Sequence, residues 1–124
     1  MLDAAAAWAI GQFDDGAAVL VIDETSDEKA SATTAGAARQ YCGSLGCVRM
    51  CQVAVTATFA SSRGHALIGR ALYLPEQEWA ADEEHRELAG VPDEVMFATK
   101  PQLAGELLRH AVTAGAAAHW VAGD

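Results

Sequence analysis

The apolar run Val19-Leu20-Val21-Ile22, followed at once by Asp23-Glu24, constrains this chain more than any other feature. A short run rich in Val and Ile, bounded by Asp15-Gly16 before and Thr25-Ser26 after, predicts a buried strand. A buried strand ending in a carboxylate carries that carboxylate to the rim of a sheet. In open α/β sheets, ligands and metals collect beyond the carboxyl ends of the strands. A solvated strand end leading into a turn fits the same residues, so both readings stand at this point.

The chain has 124 residues, enough for one domain. Hydrophobic residues make up 52%, which excludes a disordered chain, although much of that content is Ala and buries little area. The net charge of −9 gives no general attraction to nucleic acid and favours cation binding wherever carboxylates converge. No apolar run approaches the ~18 residues of a membrane span, so no membrane partner is expected. The apolar start, Met1 to Phe13, carries Asp3 and no basic residue and is not expected to be a signal peptide. Three cysteines without an export signal predict reduced thiols and a cytoplasmic location.

Along the chain, Leu2, Ala5, Ala6, Ala9, Ile10 and Phe13 predict an amphipathic helix stopped by Asp14-Asp15-Gly16. Residues 24–38 read as a loop or ragged strand extension, followed by the bulky patch Arg39-Gln40-Tyr41 and a Gly-rich turn. Val48–Phe59 alternates, with Cys51, Val53, Val55, Ala57 and Phe59 on one face, and predicts a half-buried strand. His65–Leu74 predicts its hairpin partner, with Ala66, Ile68, Leu72 and Leu74 on one face. Glu76–Leu88 reads as a surface helix or loop, and Val95–Ala98 as a short extended piece. Thr99 and Gln102 fit a capping box for a helix over Pro101–Ala114, with the stripe Leu103, Leu107, Leu108, Ala111 and Val112. His119–Ala122 predicts a last strand before Gly123-Asp124. Reached through a helical crossover, it lies parallel to the first strand and beside it.

That topology brings Asp23 and Asp124 to one rim. Carboxylate oxygens are hard ligands suited to Mg2+ or Mn2+, and two of them can help hold a metal pair for phosphodiester chemistry. Two unrelated strand ends fit the pattern as well.

Asp23-Glu24-Thr25, Arg39-Gln40-Tyr41, Cys51-Gln52-Val53, Arg63-Gly64-His65-Ala66-Leu67-Ile68, Leu72-Tyr73-Leu74-Pro75, Val91-Pro92-Asp93-Glu94-Val95, Phe97-Ala98-Thr99-Lys100-Pro101 and Trp120-Val121-Ala122-Gly123-Asp124 occur in one order. Together they resemble the catalytic domain of bacterial insertion-sequence DDE transposases, from about Ala17 onward. The resemblance implies a partial RNase H-like fold: a mixed α/β sheet with an antiparallel hairpin and a parallel strand added through a helix crossover. It implies one domain over 1–124, with 1–16 as an N-terminal helix and 17–124 as the core. It implies Asp23 and Asp124 as catalytic, metal-binding acids, Mg2+ or Mn2+ as cofactor, and DNA at transposon ends as partner. The family's third acid, a Glu on a later helix, has no counterpart in these residues. Ser26 and Lys29-Ala30-Ser31 stand where the family has Gly and a Lys-Lys-Gly step, and Met50 where it commonly has Asn. A truncated, inactive copy is therefore expected.

Other readings carry less. A Walker B strand needs a Gly-x-x-x-x-Gly-Lys-Ser/Thr loop, and none exists. A phosphoaspartate phosphatase wants a second Asp where Thr25 stands. Cys42, Cys47 and Cys51, with His65, make a zinc site on paper, but a buried thiol explains Cys51 as well. His65, His85, His110 and His119 are scattered, Trp8, Trp79 and Trp120 read as packing residues, and Asp82-Glu83-Glu84 reads as a solvated helix face. The non-enzyme alternative is an acidic α/β interaction module that self-associates through an exposed sheet edge.

Overall fold

The computed structural model describes Leu2–Gly123. Its elements, in order, are α1 (Leu2–Phe13), β1 (Val19–Glu28), β2 (Ala38–Cys42), β3 (Cys47–Ser61), β4 (Gly64–Leu72), a π-helical turn (Glu76–Ala80), α2 (Glu83–Ala89), α3 (Lys100–Thr113) and β5 (Trp120–Gly123). The five strands form one mixed sheet in the order β2-β3-β1-β5, with β4 also paired to β3. β1 and β5 are parallel, and β2 and β3 antiparallel. The two-residue turn Ser62-Arg63 between β3 and β4 admits only antiparallel pairing. Residues group into two compact units, to both of which β1 and β3 contribute.

The first unit comprises Met1–Glu24, Val55–Ala71 and Pro101–Asp124, as far as these are described. Its core joins Ala6 and Ile10 of α1, Leu20 of β1, Val55, Ala57 and Phe59 of β3, Ile68 of β4, and Leu107 and Ala111 of α3. The alternation read in β3 therefore holds through Phe59, which is fully buried. α1 ends at Phe13, where the chain is fastened to the β3–β4 turn. Ser61 Oγ donates to the Phe13 carbonyl, and Asp15 Oδ2 accepts from Ser62 Oγ at 2.6 Å and Ser62 N at 3.1 Å. Gly64 is required there: its φ is +144°, and a β-carbon would stand 2.9 Å from the Phe13 ring.

Within α3, Leu107 and Ala111 are buried and Leu103 and Leu108 half-buried, but Val112 is 65% exposed. Five residues past Leu107, Val112 is rotated by about 140° and leaves the stripe. Ala5 is likewise exposed on α1. All of β5 is exposed, Trp120 at 73%, so this strand joins the sheet through its backbone rather than by burying side chains. Trp8 is exposed too, and of the three tryptophans only Trp79 packs in a core.

The second unit comprises Thr25–Ala54 and Leu72–Lys100. Of the loop or strand extension expected for residues 24–38, residues 24–28 form the extension, continuing β1, and pairing with β3 persists to Lys29 N, which donates to Met50 O at 2.8 Å. Polar residues sustain this extension because ladder bonds belong to the backbone. Arg39-Gln40-Tyr41 is the middle of strand β2, in which Ala38 and Cys42 are buried and Arg39 and Tyr41 exposed. Cys42, Cys51 and Val53 form a small core with Tyr73.

Trp79 is fully buried, donates from Nε1 to Ala37 O at 2.8 Å, and stacks on His85 with centroids 3.7 Å apart. Asp82 is more than a solvated face residue: it caps α2, accepting from His85 N at 3.0 Å. Val95–Ala98 forms no strand; the Arg86 guanidinium holds this segment by donating to Pro92 O at 2.9 Å and to Val95 O.

Candidate active site

Asp23 follows the apolar half of β1, but the strand runs on to Glu28, so Asp23 stands within β1 and not at its end. What ends near it is the described part of the partner strand. The parallel register pairs Val19 with Trp120, Leu20 with Val121, Val21 with Ala122 and Ile22 with Gly123. Asp124, the second acid expected from the sequence, lies outside the described residues.

The Asp23 side chain is exposed, and its Oδ1 accepts from Glu24 N at 2.8 Å. That bond fixes one oxygen and leaves Oδ2 directed by the same torsion. Thr56 Oγ1 donates to the Asp23 carbonyl at 3.3 Å, tying the carboxylate-bearing residue to β3. Thr56 lies on the polar face of the alternating β3 sequence, which was the available signal for it. Gly123 is a second residue that sequence reasoning passed over. A β-carbon there would lie 2.9 Å from Ile22 O, so the close approach of β5 to β1 requires glycine.

The departures noted after Asp-Glu-Thr have structural roles of their own. Ser26 Oγ accepts from Ser44 N at 3.1 Å and from Cys42 Sγ at 3.4 Å. Hydroxyls of Ser26 and Ser44 lower the Cys42 thiol below its ordinary value, whereas burial pushes Cys51 up. Lys29 Nζ pairs with Asp27 at 2.6 Å. Among the described residues, no group of three or more His, Cys, Asp or Glu side chains is placed to hold a metal ion. Among the same residues, no helix is long and apolar enough to cross a membrane.

Asp23 thus presents an exposed carboxylate, a hard oxygen donor, on a strand flanked by a parallel crossover strand. Comparison with curated proteins and with solved structures returns no match. A family model described as DDE superfamily endonuclease matches residues 2–124. The sheet, with its hairpins and its α3 crossover into a parallel β5, agrees with a partial RNase H-like fold. By that match over the whole chain, this protein belongs to the DDE superfamily endonucleases.

Proposed function

We propose that the chain is the part of an insertion-sequence transposase that supplies Asp23 and Asp124 as metal-binding acids for DNA strand cleavage and transfer, within a single RNase H-like domain of a cytoplasmic protein. The observation that carries this reading is the β1–β5 register. Ile22 faces Gly123 in the last described pair of that ladder, and Asp23 and Asp124 are the residues that follow them in the sequence. The donors fit Mg2+ or Mn2+ in kind, since both are carboxylates and Asp23 is accessible. A bound divalent pair supplies the activation of the attacking oxygen and the stabilisation of the leaving oxygen. The chain's own contribution is positional: Glu24 N orients one Asp23 oxygen, Thr56 anchors its backbone, and Gly123 admits β5 at close range.

Assayed as the 124-residue polypeptide, the protein is expected to bind Mn2+ weakly and not to nick supercoiled plasmid, because a productive metal pair needs a complete, rigid ligand set. Titration calorimetry with Mn2+ should show binding that falls in Asp23→Ala. Unchanged Mn2+ binding in that variant would refute the site. Nicking that disappears in Asp23→Ala would instead show that these acids suffice.

A second reading is favoured by β5, whose outward edge has no strand partner among the described residues and whose side chains Trp120 and Val121 are exposed. Such an edge supports self-association. Sedimentation of the purified chain separates the readings: a defined dimer lost in Val121→Lys favours an interaction module.

A further inference from the structure

The charges of this chain are segregated in a way its net charge conceals. From Lys29 to Pro75 there is no Asp or Glu, yet the same stretch holds Lys29, Arg39, Arg49, Arg63 and Arg70. All 17 acidic residues lie outside it. Within this stretch, the β2–β3 hairpin exposes one face of its ladder. Directly opposed residues of an antiparallel pair project to the same side. The register pairs Arg39 with Met50 and Tyr41 with Val48, so these four side chains share a face. Tyr41 is 59% and Val48 51% exposed, and Leu45 in the connecting turn is 49% exposed.

Their partners decide what this face can do. Arg39 is exposed and, among the described residues, makes no ion pair or side-chain hydrogen bond. The other nearby cations are engaged: Lys29 pairs with Asp27, and Arg49 is held charged by the Cys47 side chain and Glu28. Arg39 is thus, among the described residues, an unpaired guanidinium two residues from an exposed aromatic ring on the same face of the ladder, with no carboxylate on either strand. Guanidinium suits phosphate, and an exposed ring with aliphatic neighbours suits a nucleobase, whatever the sequence.

We infer that this hairpin face is a docking surface for DNA, with Arg39 contacting phosphate and Tyr41 stacking on a base. The inference rests on the reading that the protein acts on DNA, and it assigns the contact to residues other than Asp23. The overall charge of −9 does not oppose it at contact distance, because at ~0.1 M salt charges more than ~10 Å away are largely screened.

The test is fluorescence anisotropy of the purified chain with a labelled single-stranded oligonucleotide and with its duplex, in EDTA, over a series of NaCl concentrations. Binding that weakens with salt is expected. Arg39→Ala should reduce the salt slope by about 0.7–0.9, the contribution of one phosphate contact. Tyr41→Ala should weaken single-strand binding roughly five- to 150-fold, and Tyr41→Phe should retain it. Arg109→Ala, an exposed cation paired with Glu106 on α3, serves as the control and should change neither quantity. Far-UV circular dichroism and thermal melts establish that each variant is folded.

Absence of salt-dependent binding by the parent chain would overturn the inference, as would an Arg39→Ala effect no larger than that of Arg109→Ala. The anisotropy assay in EDTA reads DNA contact without metal, whereas Mn2+ calorimetry reads the Asp23 site. Failure of the hairpin surface and failure of the Asp23 site are therefore read in separate assays.

Discussion

Ile22 and Gly123 face each other across the parallel β1–β5 ladder so closely that a β-carbon on Gly123 would lie 2.9 Å from the Ile22 carbonyl oxygen. Each is the residue immediately before an acid of the candidate site. The spacing of the two strands at this point is therefore set by the absence of a side chain.

Gly123→Ala should push β5 from β1 at the point where the site begins. Overpacking of this kind costs about 1–3 kcal/mol when the neighbour is backbone and cannot rotate away. Urea unfolding should show that loss, and Mn2+ affinity should fall with it. Parent-like Mn2+ affinity would mean that strand spacing here does not govern the acids.

Leu107 is the buried centre of the α3 stripe, and its Cδ2 lies 3.1 Å from where a β-carbon on Gly69 of β4 would stand. Leu107→Ala leaves a cavity against that flat stretch of strand and should cost about 2–5 kcal/mol in urea unfolding. Val112→Ala, on the exposed side of the same helix, should stay within about 0.5 kcal/mol. Equal losses would contradict the orientation of α3.

Trp79→Phe tests the core of the second unit. It keeps an aromatic ring but removes the Nε1 donor to Ala37 O, leaving a buried carbonyl unsatisfied. The expected loss is about 1–3 kcal/mol by denaturant midpoint, in addition to whatever the lost volume contributes. A neutral outcome would show that water replaces the donor.

Asp15 predicts an acid dependence. The Ser62 hydroxyl, then the Ala17 and Ser62 amides, hold its carboxyl below the ordinary value of 3.8. A folded-state value below the unfolded one contributes stability that is present above 3.8 and is lost as pH falls through the lowered folded value. Asp15→Asn removes that contribution. The difference in urea midpoint between parent and variant should be largest at neutral pH and shrink well below 3.8. A difference that does not change with pH would show that the Asp15–Ser62 contact contributes no proton linkage.

Much of the first unit was legible in the sequence because its elements carry their own periodicity. α1, the buried face of β3, the β3–β4 turn and the α3 stripe follow from spacings of 3.6 and 2 residues, which report a buried face directly. The parallel placement of β1 and β5 followed from the strand–helix–strand order and the handedness of crossovers. The second unit was less legible. β2 has only five residues to show its alternation, and the polar end of β1 carries no burial pattern at all. Its pairing is made by backbone groups that every residue possesses. The π-helical turn and the Asp82 cap of α2 likewise depend on where Trp79 and His85 meet, which no local spacing encodes.

The same division holds at the site. By itself, the sequence determined that an apolar strand runs into Asp23, that a last apolar stretch follows a helix, and that the chain's eight segments resemble those of DDE transposases. Only the tertiary structure decided that Asp23 stands within β1 and not at its end, that Gly123 must lack a side chain, and that Trp120 is exposed while Trp79 is buried. Hydrophobic period is a property of neighbours along the chain, so the residues reveal it directly. Strand length, strand spacing and the choice of which tryptophan is enclosed depend on backbone partners and neighbours far away in sequence, and these exist only once the sheet has formed.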